Sequence, residues 1–208
     1  MHYDILDEER QALLPKLAYF QDRFYLAGGT GLALQLGHRD SEDFDFFSAD
    51  DFDAVELIEE LQGILAGYDW KVTQEEKNTV SLIVAGKIKL SFFAYPYPLL
   101  EPLIEEENLK LASLSDIACM KLSAIVGRAT MKDYVDLYFI LQKIGLTKLL
   151  ELSQKKMPTL DRQLILKSLV YFDDVLPEQL KFKDNHSIDW TKVQEAITKL
   201  VKQEVSLS

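Results

Sequence analysis

Two carboxylates, Asp43 and Asp45, stand i, i+2 on an apolar segment with Phe44, Phe46 and Phe47. On a strand those positions share a face. Two acids on one face repel each other unless a cation lies between them. A hard, oxygen-binding ion such as Mg²⁺ relieves the repulsion and can bridge to substrate phosphates. Upstream, Leu26-Ala27-Gly28-Gly29-Thr30 ends an apolar stretch and opens a short run of helix formers. The glycines let the backbone approach a ligand without side-chain obstruction. The first amides of the helix carry partial positive charge suited to a phosphate, and the Thr30 hydroxyl can add a hydrogen bond. Alone, the glycine turn is as readily a plain strand-to-helix connection. The acid pair alone is as readily a strand end entering an acidic turn, because Asp40, Glu42, Asp50, Asp51 and Asp53 are close. Together, with residues 31–42 between them, they are more specific. One end can hold a nucleoside triphosphate and the other its divalent metal.

The elements that must position these residues follow from periodicity. Residues 5–20 read as helix, with Pro15 as a kink or break. Residues 23–27 read as a buried strand, 30–36 as a helix stopped at Gly37, and 44–47 as a second strand. Residues 53–65 form an amphipathic helix whose apolar stripe is Val55, Ile58, Leu61 and Leu65. Strands are predicted at 70–74, 79–85 and 87–95, with Gly86 turning the last pair as a hairpin. After Pro96, Pro98 and Pro102 the character changes. From Ser113 onward the pattern is helical: Ser113 and Asp116 look like a capping pair, and further helices are predicted near 132–144, 147–156, 161–172 and 189–203. The predicted fold class is α+β: residues 1–105 an α+β domain, residues 106–208 a helical domain.

Composition narrows the classes. The chain has 208 residues, 48% hydrophobic, and a single cysteine, Cys119, which reads as a buried thiol within a helix. One cysteine excludes an intrachain disulfide framework and fits a reducing compartment. No apolar run reaches the ~20 residues that span a bilayer, and the acidic start does not read as a signal peptide. The expected location is cytoplasmic. The net charge of −11 repels nucleic acid on average. Nucleic-acid contact would need a local patch, for which Lys87 with Lys89, Lys121 with Arg128 and Lys132, or Lys181 with Lys183 are candidates. Lys121 and Arg128 lie about two turns apart on one helix, and Asp133 and Asp136 are i, i+3 on the next. That spacing suits inter-helix ion pairs as well as a phosphate contact. His38 reads as a surface or capping residue, able with Arg39 to line a cleft.

Gly28-Gly29-Thr30 with Asp43-x-Asp45 resembles the signature of the nucleotidyltransferase superfamily related to DNA polymerase β. The longer string, from Leu26 through Gly37-His38-Arg39 and Ser41 to Phe47, is closer to the AbiEii/AbiGii family, toxins of type IV toxin–antitoxin and abortive-infection systems. Asp116-x-x-x-Met120-Lys121-Leu122, Arg128 and Lys132-Asp133-Tyr134-Val135-Asp136-Leu137 agree with it. The resemblance covers roughly residues 20–140. It implies a small mixed sheet flanked by helices, with a helical domain closing over a nucleotide cleft. It implies transfer of a nucleoside monophosphate from Mg²⁺–NTP to an RNA such as tRNA, a protein or a small molecule, and a cognate antitoxin as partner. By position, Gly28, Gly29, Thr30, Lys121 and Arg128 would bind the nucleotide. Asp43 and Asp45 would hold the metal, and Asp43, Asp45, Lys121 and Asp133 would be catalytic. One departure stands out. Superfamily members usually carry a third carboxylate on a neighbouring strand, here 87–93, and Ser91 stands at the expected place. A neutral hydroxyl is a poor Mg²⁺ ligand and a poor base. Asp133 is then the first substitute, and two other readings follow: a degenerate member that binds nucleotide or a partner without catalysis, or a small-molecule transferase of the antibiotic-modifying kind.

Overall fold

Alternation of aromatic and polar residues gives the central strands one face for the core and one for chemistry. The structure of the protein, a computed structural model, describes residues 1–183 and 186–207. It divides into two compact units, Met1–Ser113 and Leu114–Ser208.

The first unit is a mixed seven-stranded sheet flanked by helices, in the order β3-β4-β5-β2-β1-β7-β6. Its strands are β1 (Tyr25–Leu26), β2 (Phe44–Ser48), β3 (Trp70–Glu76), β4 (Thr79–Val84), β5 (Ile88–Ala94), β6 (Ile104–Glu105) and β7 (Lys110–Leu111). β2 lies between β1, antiparallel, and β5, parallel. The β4–β5 turn has Ala85 at φ 50° and Gly86 at φ 70°, the paired positive angles of a primed hairpin turn. Phe44, Phe46, Leu90 and Phe92 are buried on one face. Phe46 and Phe92 stack at 5.1 Å, and Phe20 and Phe24 meet Phe92 edge-on. Each such ring contributes ~1.5–3 kcal/mol by leaving water.

Helices α1 (Glu8–Leu17), α2 (Gly28–Leu36) and α3 (Ala54–Ile64) complete the unit. Pro15 does not break α1. It sits in the last turn, and the chain passes into a 3₁₀ turn at Ala18–Phe20. In α3 Leu57 and Leu61 are buried, with Leu65 at its C-cap, and Ile58 and Ile64 pack partly buried against the core, while Val55 is 55% exposed. The Asp53 carboxylate caps the Val55 and Glu56 amides, which sets Val55 on the outer side. β6 and β7 have two residues each, too short for any alternation to reveal. β7 pairs in parallel with β1, so residues 106–113 belong to the sheet unit.

The second unit is helical: α4 (Leu114–Gly127), α5 (Met131–Leu141), α6 (Leu146–Lys156), α7 (Arg162–Leu169) and α8 (Trp190–Leu207). α4 packs against α5, α6 and α7, and α8 against α5, α6 and α7. Tyr134 is buried at their centre. Its ring meets Phe172 and Trp190, and its hydroxyl reaches the carbonyls of Ser168 (2.7 Å) and Tyr171 (2.8 Å). Among the described residues no helix is long and apolar enough to cross a membrane.

Candidate active site

The glycine turn and the acid strand are joined through backbone groups. The Ala27 N–H donates to the Asp45 carbonyl at 3.0 Å. The Thr30 hydroxyl, 1% exposed, donates to the Asp43 carbonyl and lies 2.8 Å from Ser41 Oγ. From the other side Arg10, itself held by Asp7, donates through Nε to the Glu42 carbonyl at 2.8 Å. Residues 41–43 are thus pinned at both edges, and Phe44 and Phe46 anchor the strand beyond them in the core. Thr30 and Arg10 act on the acids through the backbone. Nothing in the sequence around Arg10 signals that part.

Gly28 has φ +62°, and a methyl group added there would lie 2.6 Å from Asp45 Oδ2. No other residue type fits at low cost. A methyl at Gly29 would lie 2.8 Å from Arg39 Nη2 and 3.3 Å from Ser41 Oγ. Ala27, the N-cap of α2, offers no side-chain cap, and the first turn carries no acid. The positive end of α2 therefore abuts the Asp45 carboxylate directly, an arrangement the helix dipole favours.

On β2, Asp45 and Phe47 point away from the core, and both are half-buried. In register beside Asp45 on β5 stands Ser91, fully buried and accepting a hydrogen bond from Ser81 Oγ at 3.2 Å. The neighbour of Asp45 on that strand is therefore a neutral hydroxyl. Among the described residues no group of three or more His, Cys, Asp or Glu side chains forms a metal cluster. Asp43 and Asp45 still supply two hard oxygen donors. That set fits an ion that completes its shell with phosphate oxygens and water, as Mg²⁺ commonly does.

In the helical unit the sequence-predicted residues form a buried ion cluster. Lys121 Nζ lies 2.9 Å from Asp133 Oδ1 and 2.6 Å from Asp136 Oδ2, and both carboxylates are fully buried. Thr130 Oγ1 donates to Asp133 at 2.6 Å, and Arg128, with its side chain 63% exposed, adds Nε at 3.2 Å. Burial pushes the Asp133 carboxyl up, but Lys121, Thr130 and Arg128 outweigh it and hold the group below its ordinary 3.8. A carboxylate held low is a weaker base. The folded form holds its proton less tightly than the unfolded chain, so this contribution is complete above pH 3.8 and is lost as pH falls below it. Acid titration of unfolding, monitored by helical circular dichroism, should show the drop in that window. Replacing Asp133 by Asn should flatten it.

Other expectations resolve in both directions. Burial pushes the Cys119 thiol up to about 12, an inert group. Next to it, Asp116 pairs with Lys156 at 2.7 Å in full burial. His38 is fully buried rather than at the surface. In the candidate basic patches Lys87 pairs with Glu9 at 3.0 Å, and Lys121 belongs to the buried cluster.

A family model described as nucleotidyl transferase AbiEii toxin, type IV toxin–antitoxin system, matches residues 12–203. An uncharacterized protein of Aquifex aeolicus (strain VF5) is 39% identical over 204 residues, covering 94% of this chain and 95% of that one. Among solved structures, the fold is similar to MenT4, a nucleotidyltransferase toxin from Mycobacterium tuberculosis H37Rv. The TM-score is 0.64 at 18% identity, over 93% of this chain and 82% of the other. It is also similar to JHP933 from Helicobacter pylori, with a TM-score of 0.56 at 20% identity over 100% of this chain and 97% of the other.

Proposed function

Because the chain belongs to the AbiEii nucleotidyl transferase toxin family, we propose that it moves a nucleoside monophosphate from a Mg²⁺-bound nucleoside triphosphate to an acceptor hydroxyl, with pyrophosphate leaving. The observation that carries this reading is the abutment of Gly28 on Asp45. It sets an uncapped helix N-terminus, suited to phosphate, against a carboxylate suited to the metal. Gly28 and Gly29 admit the phosphates, Asp43 and Asp45 hold the ion, and Thr30 keeps Asp43 in place. When bound, the ion offsets charge on the triphosphate oxygens. The acceptor oxygen bonds to the α-phosphorus as the bond to pyrophosphate breaks, and the acceptor proton is released.

In the helical unit we assign Lys121 and Asp133 a positioning role, through the cluster that joins α4 to α5. Arg128, whose side chain is exposed beside it, can share its guanidinium between Asp133 and an anionic ligand. The type IV toxin–antitoxin description of the family supports a cognate antitoxin as partner. The acceptor class we favour is a macromolecule carrying free hydroxyls, RNA or protein.

A second reading rests on Ser91. Without an acid beside Asp45, the acceptor hydroxyl has no obvious base, and a binder without turnover has the same first unit. Calorimetry with each of the four NTPs and Mg²⁺ tests binding. Incubation of α-³²P-labelled NTP with tRNA or lysate then separates enzyme from binder. Heat with at least one NTP together with label on a macromolecule is the expected result. Heat without label supports the second reading, and no heat with any NTP overturns both.

A further inference from the structure

Lysine is depleted in strands, yet Lys89 stands on β5, an inner strand of the sheet between β2 and β4. Alternation sends Ile88, Leu90 and Phe92 into the core and turns Lys89, Ser91 and Phe93 to the opposite face. That is the face of Asp45. Asp45 pairs in register with Ser91, and Phe44 with Leu90. Continuing this parallel register by one residue sets Lys89 beside Asp43, at the spacing of neighbouring strands, about 4.8 Å. On its other side, on β4, stands Ile83, which offers no charge.

The two lysines at the start of β5 are used differently. Lys87 is engaged by Glu9 at 3.0 Å and Asp7 at 3.8 Å. Lys89 is exposed and forms no hydrogen bond or ion pair among the described residues. Its neighbour two residues on is Ser91. An acid there would share its face and compete for the ammonium. The neutral hydroxyl leaves that charge available to a ligand.

The side of the acids on which Lys89 lies says which phosphate it meets. The glycine turn is on the β1 side of Asp45: the Ala27 N–H donates to the Asp45 carbonyl, and Gly28 abuts the carboxylate. Helix amides there suit the far end of a polyphosphate. The phosphate left between the acids and β5 is the one bonded to the nucleoside. An ammonium on a flexible stem can reach it as a point charge and stabilise charge on its oxygens as pyrophosphate leaves.

Resting on the nucleotide reading above, we propose that Lys89 is a further substrate-binding residue, whose ammonium contacts the α-phosphate of the nucleotide from β5. It works from the strand where Ser91 leaves no acid.

The test is calorimetry in Mg²⁺ with an NTP, the matching monophosphate and pyrophosphate. It compares wild type, Lys89→Met and Lys89→Arg, with thermal melting to confirm folding. Lys89→Met should weaken NTP and monophosphate binding by about tenfold, the loss of one charge-assisted contact, and leave pyrophosphate within about twofold. Lys89→Arg keeps the charge and should recover most of the NTP affinity. If folded Lys89→Met binds NTP as wild type does, or loses pyrophosphate equally, the Lys89 assignment fails while the nucleotide reading stands. If wild type binds no NTP, both fail. A second measurement reads the contact itself. In ³¹P spectra of NTP at saturation, Lys89→Met should move the bound α-phosphorus resonance and leave the β and γ resonances in place. An unmoved α resonance overturns the proposal.

Discussion

Asp43→Asn should lower nucleotidyl transfer by about a thousandfold or more, equivalent to about 4 kcal/mol of transition-state stabilisation, while the melting temperature stays within a degree or two. Asn matches the shape of Asp but is a weaker ligand for a hard cation. The fold uses Asp43 through its carbonyl, which accepts from Thr30, and Asn keeps that carbonyl. Chemistry and stability therefore separate at this position. Asp45→Asn should reduce transfer comparably, with an added change in the turn because its carboxylate touches Gly28. The readout is single-turnover transfer of labelled nucleotide at saturating Mg²⁺, beside a thermal melt. Full transfer by the folded Asp43→Asn variant would remove the metal assignment.

Lys121→Met should destabilise the helical unit by about 3–5 kcal/mol, because it leaves buried carboxylates without their cation. Asp133 and Asp136 are both fully buried, and Lys121 is their shared partner from α4. Arg128 reaches Asp133 only from the exposed rim. Against a total stability of about 5–15 kcal/mol typical of a domain, that loss is large. Urea unfolding measures it. The triple variant Lys121→Met with Asp133→Asn and Asp136→Asn should recover most of the loss, because no buried charge is then left over. A cost under about 1 kcal/mol for Lys121→Met would show that the cluster does not hold α4 to α5. If the folded variant instead lost NTP binding alone, Lys121 would be a phosphate ligand rather than a positioning residue.

Much of this protein is legible in its sequence because the signals are local. Alternation in Phe44–Ser48 and in Ile88–Ala94 marks strands with one apolar face, and the Gly-Gly turn ahead of α2 needs only its own backbone. The place of Ser91 beside Asp45 follows from that same alternation once the two strands are neighbours. What sequence does not carry is which strands are neighbours. The β2–β5 pairing joins residues far apart in the chain and is set by the shared burial of Phe44, Phe46, Leu90 and Phe92. The strands β6 and β7 have no periodicity to read, and only partners in the sheet make them strands. Arg10 looks like any surface arginine in the chain, whereas Arg39 stands in the string that carries the family resemblance. Tertiary packing buries them against the Glu42 carbonyl and Gly29, where desolvation makes their charges count. The residue types able to hold a nucleotide and its metal are thus determined by the sequence alone. Their convergence at Gly28 and Asp45, and the buried cluster around Lys121, are decided by tertiary structure, because burial and strand register depend on contacts between distant segments.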